Sequence, residues 1–380
     1  MAYHPYMTEA PGANGARLRL ARQARGFSQQ QLAGMADVSR QAVSAVESGH
    51  SDPSLRVALA LAQALGMTVE DLFGPGAAVR PVSAVPVAPL ADGQARVALA
   101  PFGDQFVALP LTGDTAAGMG FIPAGGLAGR TGLARQARGP AGKVDVQPIG
   151  PPRPTLVVAG CDPALPLLAT PLSLLDPPVA FAWWPCGSTE ALRLAAAGLV
   201  HVAGVHLRDA RGAYNTAASN LPGGAEVVGF TAWREGLVTS PALAVTVTSL
   251  DVVARDQLRL VNREPGAEAR RVLDRERERL GLDPAELPGY HTQAAGHLQV
   301  ASAVAAGLAD AGVASEPAAR AYGLGFVPLA DERFDLVLPG QHLGSREVQG
   351  LLKVLSSPWL LAQLASLPGY DPSACGAPVG

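Results

Sequence analysis

Apolar residues recur at helical spacing between residues 14 and 74, interrupted by short turns, and this pattern predicts five closely spaced helices. Ser28, with Gln31 three residues later, predicts a capping box at the start of the second helix. Ser39 fits the N-terminus of the third helix, Arg40–Glu47. The predicted core of this segment consists of apolar side chains on the second to fourth helices and in the turn before the third: Ala33, Val38, Val43, Val46 and Leu59.

The pattern changes after residue 74. Residues 75–153 are rich in Pro, Gly and Val, and their short apolar pieces favour a small β-rich module; a linker is the alternative. Residues 154–380 alternate strands such as Thr155–Ala159 with Ala- and Leu-rich helices such as Thr189–Ala197, which predicts an α/β domain with a largely parallel sheet. With residues 1–13 as a flexible N-terminus, the chain is predicted to be multidomain.

Composition narrows the classes of function. Hydrophobic residues make up 48% and charged residues 16% of the 380, which is typical of a folded globular protein. The net charge of −3 means that any DNA contact must come from local placement of charge. The three cysteines show no CxxC spacing, so neither a disulfide framework, a zinc site nor another cofactor is expected. The chain shows no signal peptide and no apolar run long enough for a membrane span, so a cytoplasmic location is expected.

The first segment carries a series of short motifs at fixed spacing. They are Gly26-Phe27-Ser28-Gln29, Leu32-Ala33, Val38-Ser39-Arg40, Val43-Ser44, Glu47-Ser48-Gly49, Pro53-Ser54-Leu55 and Leu65-Gly66. Together they resemble the phage-repressor-like (Xre/Cro) helix-turn-helix family over the whole five-helix domain. The resemblance implies that the third helix enters the major groove of double-stranded operator DNA.

The same resemblance implies a set of DNA contacts. At the third helix they are Ser39, Arg40, Gln41, Ser44 and Ala45, and near the phosphates they are Arg17, Arg22 and Gln29. Arg40 suits guanine O6 and N7, and Gln41 suits adenine N6 and N7. The alternative for Ser39 and Glu47 is a role in the fold, through capping and an internal ion pair. Acids and bases of this segment nearly balance in number, so tight binding is expected to need a symmetric homodimer.

Two loops in the third segment are candidates for ligand binding. Each follows the carboxyl end of a predicted strand and leads into a helix, where α/β folds place ligands. The candidate ligand-binding residues in these loops are Cys161, Asp162, Ser188 and Thr189. The alternative for Ser188 and Thr189 is that they only cap the helix.

Further motifs follow in order along this segment. They are Gly204-Val205-His206-Leu207, Arg234-Glu235-Gly236-Leu237, Val261-Asn262-Arg263-Glu264-Pro265-Gly266, Gly289-Tyr290, Ala309-Asp310-Ala311-Gly312, Phe326-Val327-Pro328-Leu329 and Pro368-Gly369-Tyr370-Asp371. Over about residues 154–375 they resemble the periplasmic-binding-protein-like (type II) domain of bacterial regulators, which is related to molybdate-binding proteins. The resemblance implies two lobes with a cleft between them. It places the first crossing between the lobes near Leu237–Leu243 and the return near Pro328–Asp335.

The sequence departs from this family where an oxyanion would be held. After Asn-Arg the family usually continues with Gly-Ser-Gly-Thr-Arg, whereas this chain has Gly266-Ala267-Glu268-Ala269-Arg270. Two hydroxyls are absent, and Glu268 would repel a dianion if it pointed into the cleft. Arg263 and Arg270 suit a carboxylate or phosphate, with ion pairs to neighbouring acids as the alternative.

Histidines and one aspartate complete the candidate site. His297 lies where the family often has a Thr-His pair, so it either contacts the ligand or is structural. Asp310 is a candidate ligand-binding residue or a support for the cleft loop. His201 and His206 lie on a strand-like run without a carboxylate partner, so no metal site is expected there.

Three functions compete at this point. The first is a DNA-binding regulator whose C-terminal domain senses a small polar or anionic molecule. The second is a regulator whose C-terminal domain is a ligand-free dimerisation scaffold, which the missing hydroxyls favour. An enzyme is not expected, because the sequence shows no nucleophile–base pair, no metal cluster and no phosphate-binding loop, and Ser188 lacks a G-x-S-x-G elbow.

Overall fold

The computed structural model describes residues 13–73, 81–91, 93–111, 113, 121–129, 142–209 and 211–379. The chain divides into two compact units, residues 1–80 and residues 81–380. Most of the predicted flexible N-terminus, residues 1–12, lies outside the described residues. In the ranges that the structure describes, no helix has the length and apolar character needed to cross a membrane.

The first unit contains five helices. They are α1 (Ala13–Ala24), α2 (Gln29–Met35), α3 (Arg40–Glu47), α4 (Leu55–Ala64) and α5 (Val69–Phe73). The hydroxyls of Ser28, Ser39 and Ser54 each accept a backbone N–H of the following helix, and Gln31 completes the predicted capping box. These local signals fix where the helices begin, and the five-helix prediction is confirmed.

The core of this unit differs from the prediction at α4. Leu32, Val43 and Leu61 are fully buried, but Leu59 is 53% exposed. The buried face of α4 is centred on Ala58, Leu61 and Ala62, and at 100° per residue Leu59 lies to one side of it. The assignment of Leu59 to the core is therefore wrong, because helical spacing alone does not say which of two adjacent rows faces inward.

The second unit begins with a small barrel. Its strands are β1 (Val82–Pro86), β2 (Ala95–Phe102), β3 (Gln105–Pro110), β4 (Gly126–Ala128) and β5 (Val144–Pro148). They close in the order β1–β3–β2–β4–β5, with β5 pairing back to β1. Ala84, Val97 and Val146 fill the interior, so the predicted β-rich module is confirmed and the linker alternative is wrong.

An eight-stranded sheet follows in the order β11–β10–β12–β9–β13–β8–β6–β7. Its strands are β6 (Thr155–Gly160), β7 (Ala180–Pro185), β8 (Val202–Val205), β9 (Ala225–Thr239), β10 (Leu260–Arg263), β11 (Gln293–Ala294), β12 (Ala311–Ser315) and β13 (Gly325–Pro339). Its helices are α6 (Ala169–Ser173), α7 (Ser188–Ala196), α8 (Leu250–Arg255), α9 (Glu268–Leu280), α10 (His297–Ala305), α11 (Glu316–Ala321), α12 (Arg346–Leu355) and α13 (Pro358–Ala365). The strands on each flank are parallel, but β9 and β13 run antiparallel through the centre, so the sheet is mixed and not largely parallel.

The two long strands divide this sheet into two lobes. The first lobe holds β6, β7 and β8, and the second holds β10, β11 and β12. Strand β9 pairs with β12 from Glu235 onward, so the first crossing comes earlier than the predicted Leu237–Leu243. Strand β13 reaches β8 at Asp335, which agrees with the predicted return near Pro328–Asp335. The predicted two-lobed architecture is confirmed, and β9 and β13 are its hinge strands.

The barrel packs against the first lobe. Phe102 of β2 lies with its ring centroid 4.3 Å from that of His201, at the entrance to β8. His342 closes the stack, 4.8 Å from Phe102 and 5.3 Å from His201. Val87, Val107 and other barrel residues join the same apolar cluster as the lobe's strands.

Candidate functional site

Helix α3 presents a polar face of the kind that reads DNA. Val43 and Val46 are buried against the rest of the five-helix unit. Arg40, Gln41 and Ser44 are exposed on the opposite side. Ala45 is half-buried at the edge of this face, which makes room for a base edge or a methyl group.

Two residues that were expected near phosphates, Arg22 and Gln29, form hydrogen bonds within the domain. Arg22 donates to both carboxylate oxygens of Glu47, at 2.6 and 3.0 Å, and to the carbonyl of Phe27 at 2.7 Å. Gln29 donates to the same carboxylate at 2.9 Å. Burial raises the pKa of Glu47, but the bonds from Arg22 and Gln29 outweigh it and lower the pKa overall. Arg22 and Gln29 are therefore engaged within the domain, and their contact with the DNA backbone stays a prediction.

Two further predicted DNA contacts are Ser39, at the start of α3, and Arg17, on α1. Ser39 accepts the Ala42 N–H at 3.0 Å, so it holds the start of α3 as the alternative proposed. Arg17 is half-buried on α1. Among the predicted DNA contacts, Arg40, Gln41 and Ser44 on α3 have exposed side chains.

In the second unit, several predicted residues meet at the edge where the two lobes face each other. Cys161 follows β6, Arg263 ends β10 and His297 begins α10. Together with Cys186 and Glu264 they line a cavity of about 40 Å³. That volume holds a few water molecules or a small ion, but it is far below that of a site for an organic cofactor.

Asp162 does not line this cavity. It is fully buried and accepts hydrogen bonds from Thr231, Tyr370 and the Ala164 N–H at 2.6–2.8 Å. Asp162 therefore holds the β6 loop to the hinge strand β9 and the C-terminal segment. These three bonds give Asp162 a structural role, and its contact with a ligand stays a prediction.

The predicted hydroxyls also serve the fold. Ser188 accepts the His206 N–H at 3.2 Å and thereby orients the residue after β8. Thr189 donates to the Gly266 carbonyl at 3.0 Å, across the two lobes. Neither is among the residues lining the cavity.

Two predicted ligand-binding residues of the second lobe, Arg270 and Asp310, lie outside the cavity lining. Arg270 lies over the Tyr290 ring at 4.4 Å and forms an ion pair with Asp274. Asp310 forms a surface ion pair with Arg259 at 2.8 Å. Neighbouring side chains therefore engage both groups, and their contact with a ligand stays a prediction.

Glu268 also lies away from the cavity. It is buried at the start of α9, 2.8 Å from Arg275. The acid that does line the cavity is Glu264, which accepts two hydrogen bonds from Arg263 at 2.8 and 2.9 Å.

A buried cluster of Cys161, His206 and His297 lies beside the cavity, and two of its members, Cys161 and His297, line it. The Cys161 Sγ atom lies 3.2 Å from His206 Nε2. One ligand atom from each of the three side chains lies within 4.8 Å of the others. Cys161 and His206 belong to the first lobe and His297 to the second, so the cluster spans the cleft.

A buried carboxylate stands behind each histidine. Glu332 on β13 lies 3.5 Å from His206 Nδ1, and Glu235 on β9 lies 3.4 Å from His297 Nδ1. The expectation that His206 lacks a carboxylate partner is wrong, because that partner arrives from the distant hinge strand. Cys161, His206 and Glu332 also form the nucleophile–base arrangement that the sequence did not reveal.

Charge in this cluster is strongly coupled. Burial opposes ionisation of the Cys161 thiol, but the attraction of His206 and His297 outweighs it and lowers the pKa to about 6. Burial likewise disfavours a charged His297, but Glu235 and Cys161 raise its pKa to about 9. His297 Nδ1 accepts the Ser315 N–H at 3.2 Å, which requires Nδ1 to be unprotonated. A ring with its proton on Nδ1 would instead donate toward Glu235.

Several polar atoms around the cluster lack a hydrogen-bond partner among the described residues. They are His297 Nε2, His206 Nδ1, Arg263 Nη1, one oxygen of Glu235 and both of Glu332. Buried polar groups in proteins are normally satisfied, so this concentration points to a bound species. One feature of the sequence could have indicated this cluster. Glu235 is a carboxylate within a mostly apolar strand, and a buried carboxylate needs a charged or hydrogen-bonding partner.

Two protein families match this chain. The helix-turn-helix family matches residues 18–72, and the PBP superfamily domain matches residues 169–356. The two matches fall on the five-helix unit and on the lobes of the α/β domain.

Three relatives show the extent of similarity. The uncharacterized protein YvgK of Bacillus subtilis is 34% identical over 122 residues, 32% of this chain and 39% of YvgK, so this chain spans about two fifths of its length. An uncharacterized protein of Clostridium pasteurianum, from a ferredoxin 2Fe-2S gene 5′ region, is 34% identical over 106 residues, 28% of this chain and 94% of the relative. The uncharacterized HTH-type transcriptional regulator MJ0272 of Methanocaldococcus jannaschii is 39% identical over 57 residues, 15% of this chain and 86% of the relative.

Proposed function

We propose that this chain, which belongs to the Xre-type helix-turn-helix family and carries a PBP superfamily domain, is a transcriptional regulator controlled by a small ligand. The five-helix unit binds operator DNA, and the cleft between the lobes binds the ligand. The observation that carries the DNA-binding half is the face of α3, where polar residues are exposed and the valines are buried.

Base reading follows from that face. Arg40, at the first turn of α3, has a planar guanidinium that suits guanine O6 and N7. Gln41 beside it offers an amide that suits adenine N6 and N7. Arg22, Gln29 and Glu47 contribute by holding α1, α2 and the end of α3 together.

The sensing half depends on the cleft. Its polar groups come from both lobes, with Cys161 and His206 on one side and Arg263 and His297 on the other. A ligand held by both sides favours the closed arrangement of the lobes, and it shifts that equilibrium by its differential affinity for the two states. The unsatisfied polar atoms around the cavity favour this function over a ligand-free scaffold.

The regulator is proposed to act as a symmetric homodimer in the cytoplasm, where its operator lies. A single five-helix unit offers few positive groups, so two copies on two half-sites give the affinity that one copy lacks. Half-sites are then expected one helical turn of DNA apart, or a multiple of it.

Selection of duplexes from a random DNA pool by the full-length chain tests this function. The expected result is enrichment of a palindromic or near-palindromic sequence, bound in a salt-dependent manner. An Arg40→Ala chain should fail to enrich the same bases at one position of each half-site. Absence of any enriched sequence at low salt would contradict the proposed function.

A further inference from the structure

We propose that Cys161, His206 and His297 bind a transition-metal cation of the Zn²⁺ type between the two lobes, each through one side-chain atom. The effector role of the metal rests on the proposed function, in which the chain is a ligand-controlled regulator. Metal binding itself is measurable without DNA.

The donor set matches such an ion. A thiolate with two imidazoles suits zinc and neighbouring transition metals, and Mg²⁺ or Ca²⁺ prefers oxygen ligands. Zn–S and Zn–N bonds of ordinary length at tetrahedral angles place the sulfur and nitrogen atoms about 3.5 Å apart. Cys161 Sγ and His206 Nε2 are already 3.2 Å apart, and all three ligand atoms lie within 4.8 Å of one another. An inward movement of His297 by about 1 Å therefore completes the site.

The surroundings of the two histidines support ligation. Histidines that bind metals usually donate their other N–H to a carboxylate or carbonyl, which fixes the tautomer and strengthens the ligand. Glu332 stands 3.5 Å behind His206 Nδ1, and Glu235 stands 3.4 Å behind His297 Nδ1. His297 Nε2 is buried and lacks a hydrogen-bond partner among the described residues, whereas Nδ1 accepts the Ser315 N–H. Ligation through Nε2 therefore requires the proton to move to Nδ1, where Glu235 replaces the Ser315 N–H as its partner.

Charge favours a cation over the oxyanion that related folds would suggest. Arg263 is the cationic side chain of the cavity lining apart from His297, and its guanidinium is already paired with Glu264 through two nitrogens. Three carboxylates, Glu235, Glu264 and Glu332, lie on or behind the cluster. A dianion would meet these carboxylates at short range, whereas a dication is attracted by them.

The cavity leaves an open coordination position. Three protein ligands occupy three corners of a tetrahedron, and about 40 Å³ remains beside them. That space holds water or a small anion as the fourth ligand. The third guanidinium nitrogen of Arg263, Nη1, is buried without a partner among the described residues and is available to such a ligand.

The site also supplies the coupling that a sensor requires. Cys161 and His206 are carried by the first lobe, His297 by the second, and both carboxylates by the hinge strands β9 and β13. An ion bound by all three residues therefore stabilises the arrangement in which the lobes approach. Removal of the ion removes this link.

Titration of the reduced, metal-free full-length chain with Co²⁺ tests the site, because Co²⁺ reports thiolate ligation by its absorption. We expect one Co²⁺ per chain, with an intense near-ultraviolet band from thiolate-to-metal charge transfer and visible bands typical of tetrahedral geometry. Zn²⁺ should displace it and should protect Cys161 from alkylation, as located by peptide mass spectrometry.

Variants then assign the ligands. Cys161→Ser should abolish the charge-transfer band, and His297→Gln should weaken binding by at least about 100-fold. Glu235→Gln, which touches the metal only through His297, should weaken binding by about 10–100-fold while keeping both bands. Cys375→Ser is the matched control, because its thiol donates to the Leu355 carbonyl and lines neither the cavity nor the cluster, and it should bind Co²⁺ like the wild type.

Absence of a charge-transfer band in the wild type would overturn the metal site, as would a band that survives Cys161→Ser and is lost in Cys186→Ser. Unfolding curves of each variant separate loss of ligation from loss of fold. Operator binding by the metal-free chain without any Co²⁺ binding would refute this inference and leave the proposed function standing. Stoichiometric Co²⁺ binding by a chain that selects no operator would support the metal site and refute the proposed function.

Discussion

Arg22 joins three helices through one charged contact. Its guanidinium on α1 meets Glu47 at the end of α3, and Gln29 of α2 donates to the same carboxylate. The Glu47 side chain is only 4% exposed, so it depends on these donors in place of water. The bonds are therefore part of the stability of the DNA-binding unit.

Replacement of Arg22 by Ala should lower the free energy of unfolding of this unit by about 1–3 kcal/mol, because a largely buried carboxylate loses its donors. Urea denaturation followed by circular dichroism measures the change. Arg19→Ala on the same helix is the control, and since Arg19 is exposed its effect should stay within about 0.5 kcal/mol. Equal effects of the two substitutions would show that the Glu47 contact contributes nothing.

Arg40 has a different role from Arg22, because its side chain is exposed on α3. Arg40→Ala should reduce operator affinity by about 1–3 kcal/mol and relax specificity at one base pair of each half-site. Anisotropy titrations with operators changed at single positions measure both effects. A uniform loss over all operator sequences would instead mean that Arg40 contacts only phosphate.

His201 makes the stability of the second unit depend on pH. Burial lowers its pKa to about 3, and Nδ1 accepts the Val157 N–H, which requires a neutral ring. The unfolded chain binds a proton near pH 6.5 and the folded chain does not, so His201 contributes stability above that pH and loses it as the pH falls toward 3.

The unfolding free energy of the wild type should therefore fall faster between pH 7 and pH 5 than that of His201→Gln. The difference approaches about 1.4 kcal/mol per pH unit well below the unfolded pKa. Denaturant titrations at the two pH values measure it. Parallel pH profiles for the two proteins would show that His201 is protonated equally in both states.

At the scale of single elements, strand β8 depends on one glycine. A Cβ at Gly204 would lie 2.3 Å from Cζ of Phe334, a fully buried ring on hinge strand β13. The strand ends at Val205, directly before His206. The close approach of β8 to β13 therefore also positions a proposed metal ligand.

Gly204→Ala should destabilise the second unit by about 1–3 kcal/mol, because Phe334 or the strand must move to make room. It should weaken Co²⁺ binding as well, through displacement of His206. Gly344→Ala is the control, since Gly344 has open space around its Cβ position. Unchanged stability in Gly204→Ala would mean that Phe334 has a second well-packed position.

Local elements were predictable where the signal itself is local. Ser28 and Gln31 lie three residues apart, so their capping box is visible in the sequence and present in the structure. The exposure of Leu59 was not predictable, because neighbouring helices decide which row of α4 faces inward. The first crossing of the lobes was also misplaced, since strand pairing with β12 determines where it falls.

At the scale of the whole molecule, the cleft was only partly predictable. Cys161, Arg263 and His297 were identified from loop positions and from a family resemblance, and all three line the cavity. Asp310 and Arg270 lie outside the cavity lining and form ion pairs with Arg259 and Asp274. The sequence pattern does not show these pairings. The pairing of His206 with Glu332 needs the hinge strand to fold back, so no local pattern contains it.

The fold also indicates how the parts act together. The barrel is fixed to the first lobe through Phe102 and its neighbours, and the proposed metal ligands belong to both lobes. Closure of the lobes is therefore the movement through which the ion acts. Coupling between two such sites typically changes affinity by about 5–150-fold.

The most direct test is the affinity of the full-length chain for its selected operator, measured by anisotropy at fixed salt in metal-free buffer and with Zn²⁺. The wild type should change its Kd by at least about 5-fold on Zn²⁺ addition, and Cys161→Ser should bind the operator with a Kd that Zn²⁺ does not alter. Cys375→Ser, whose thiol lies outside the cavity, should respond like the wild type. An unchanged wild-type Kd, or an equal response in Cys161→Ser, would contradict control of operator binding through the cleft.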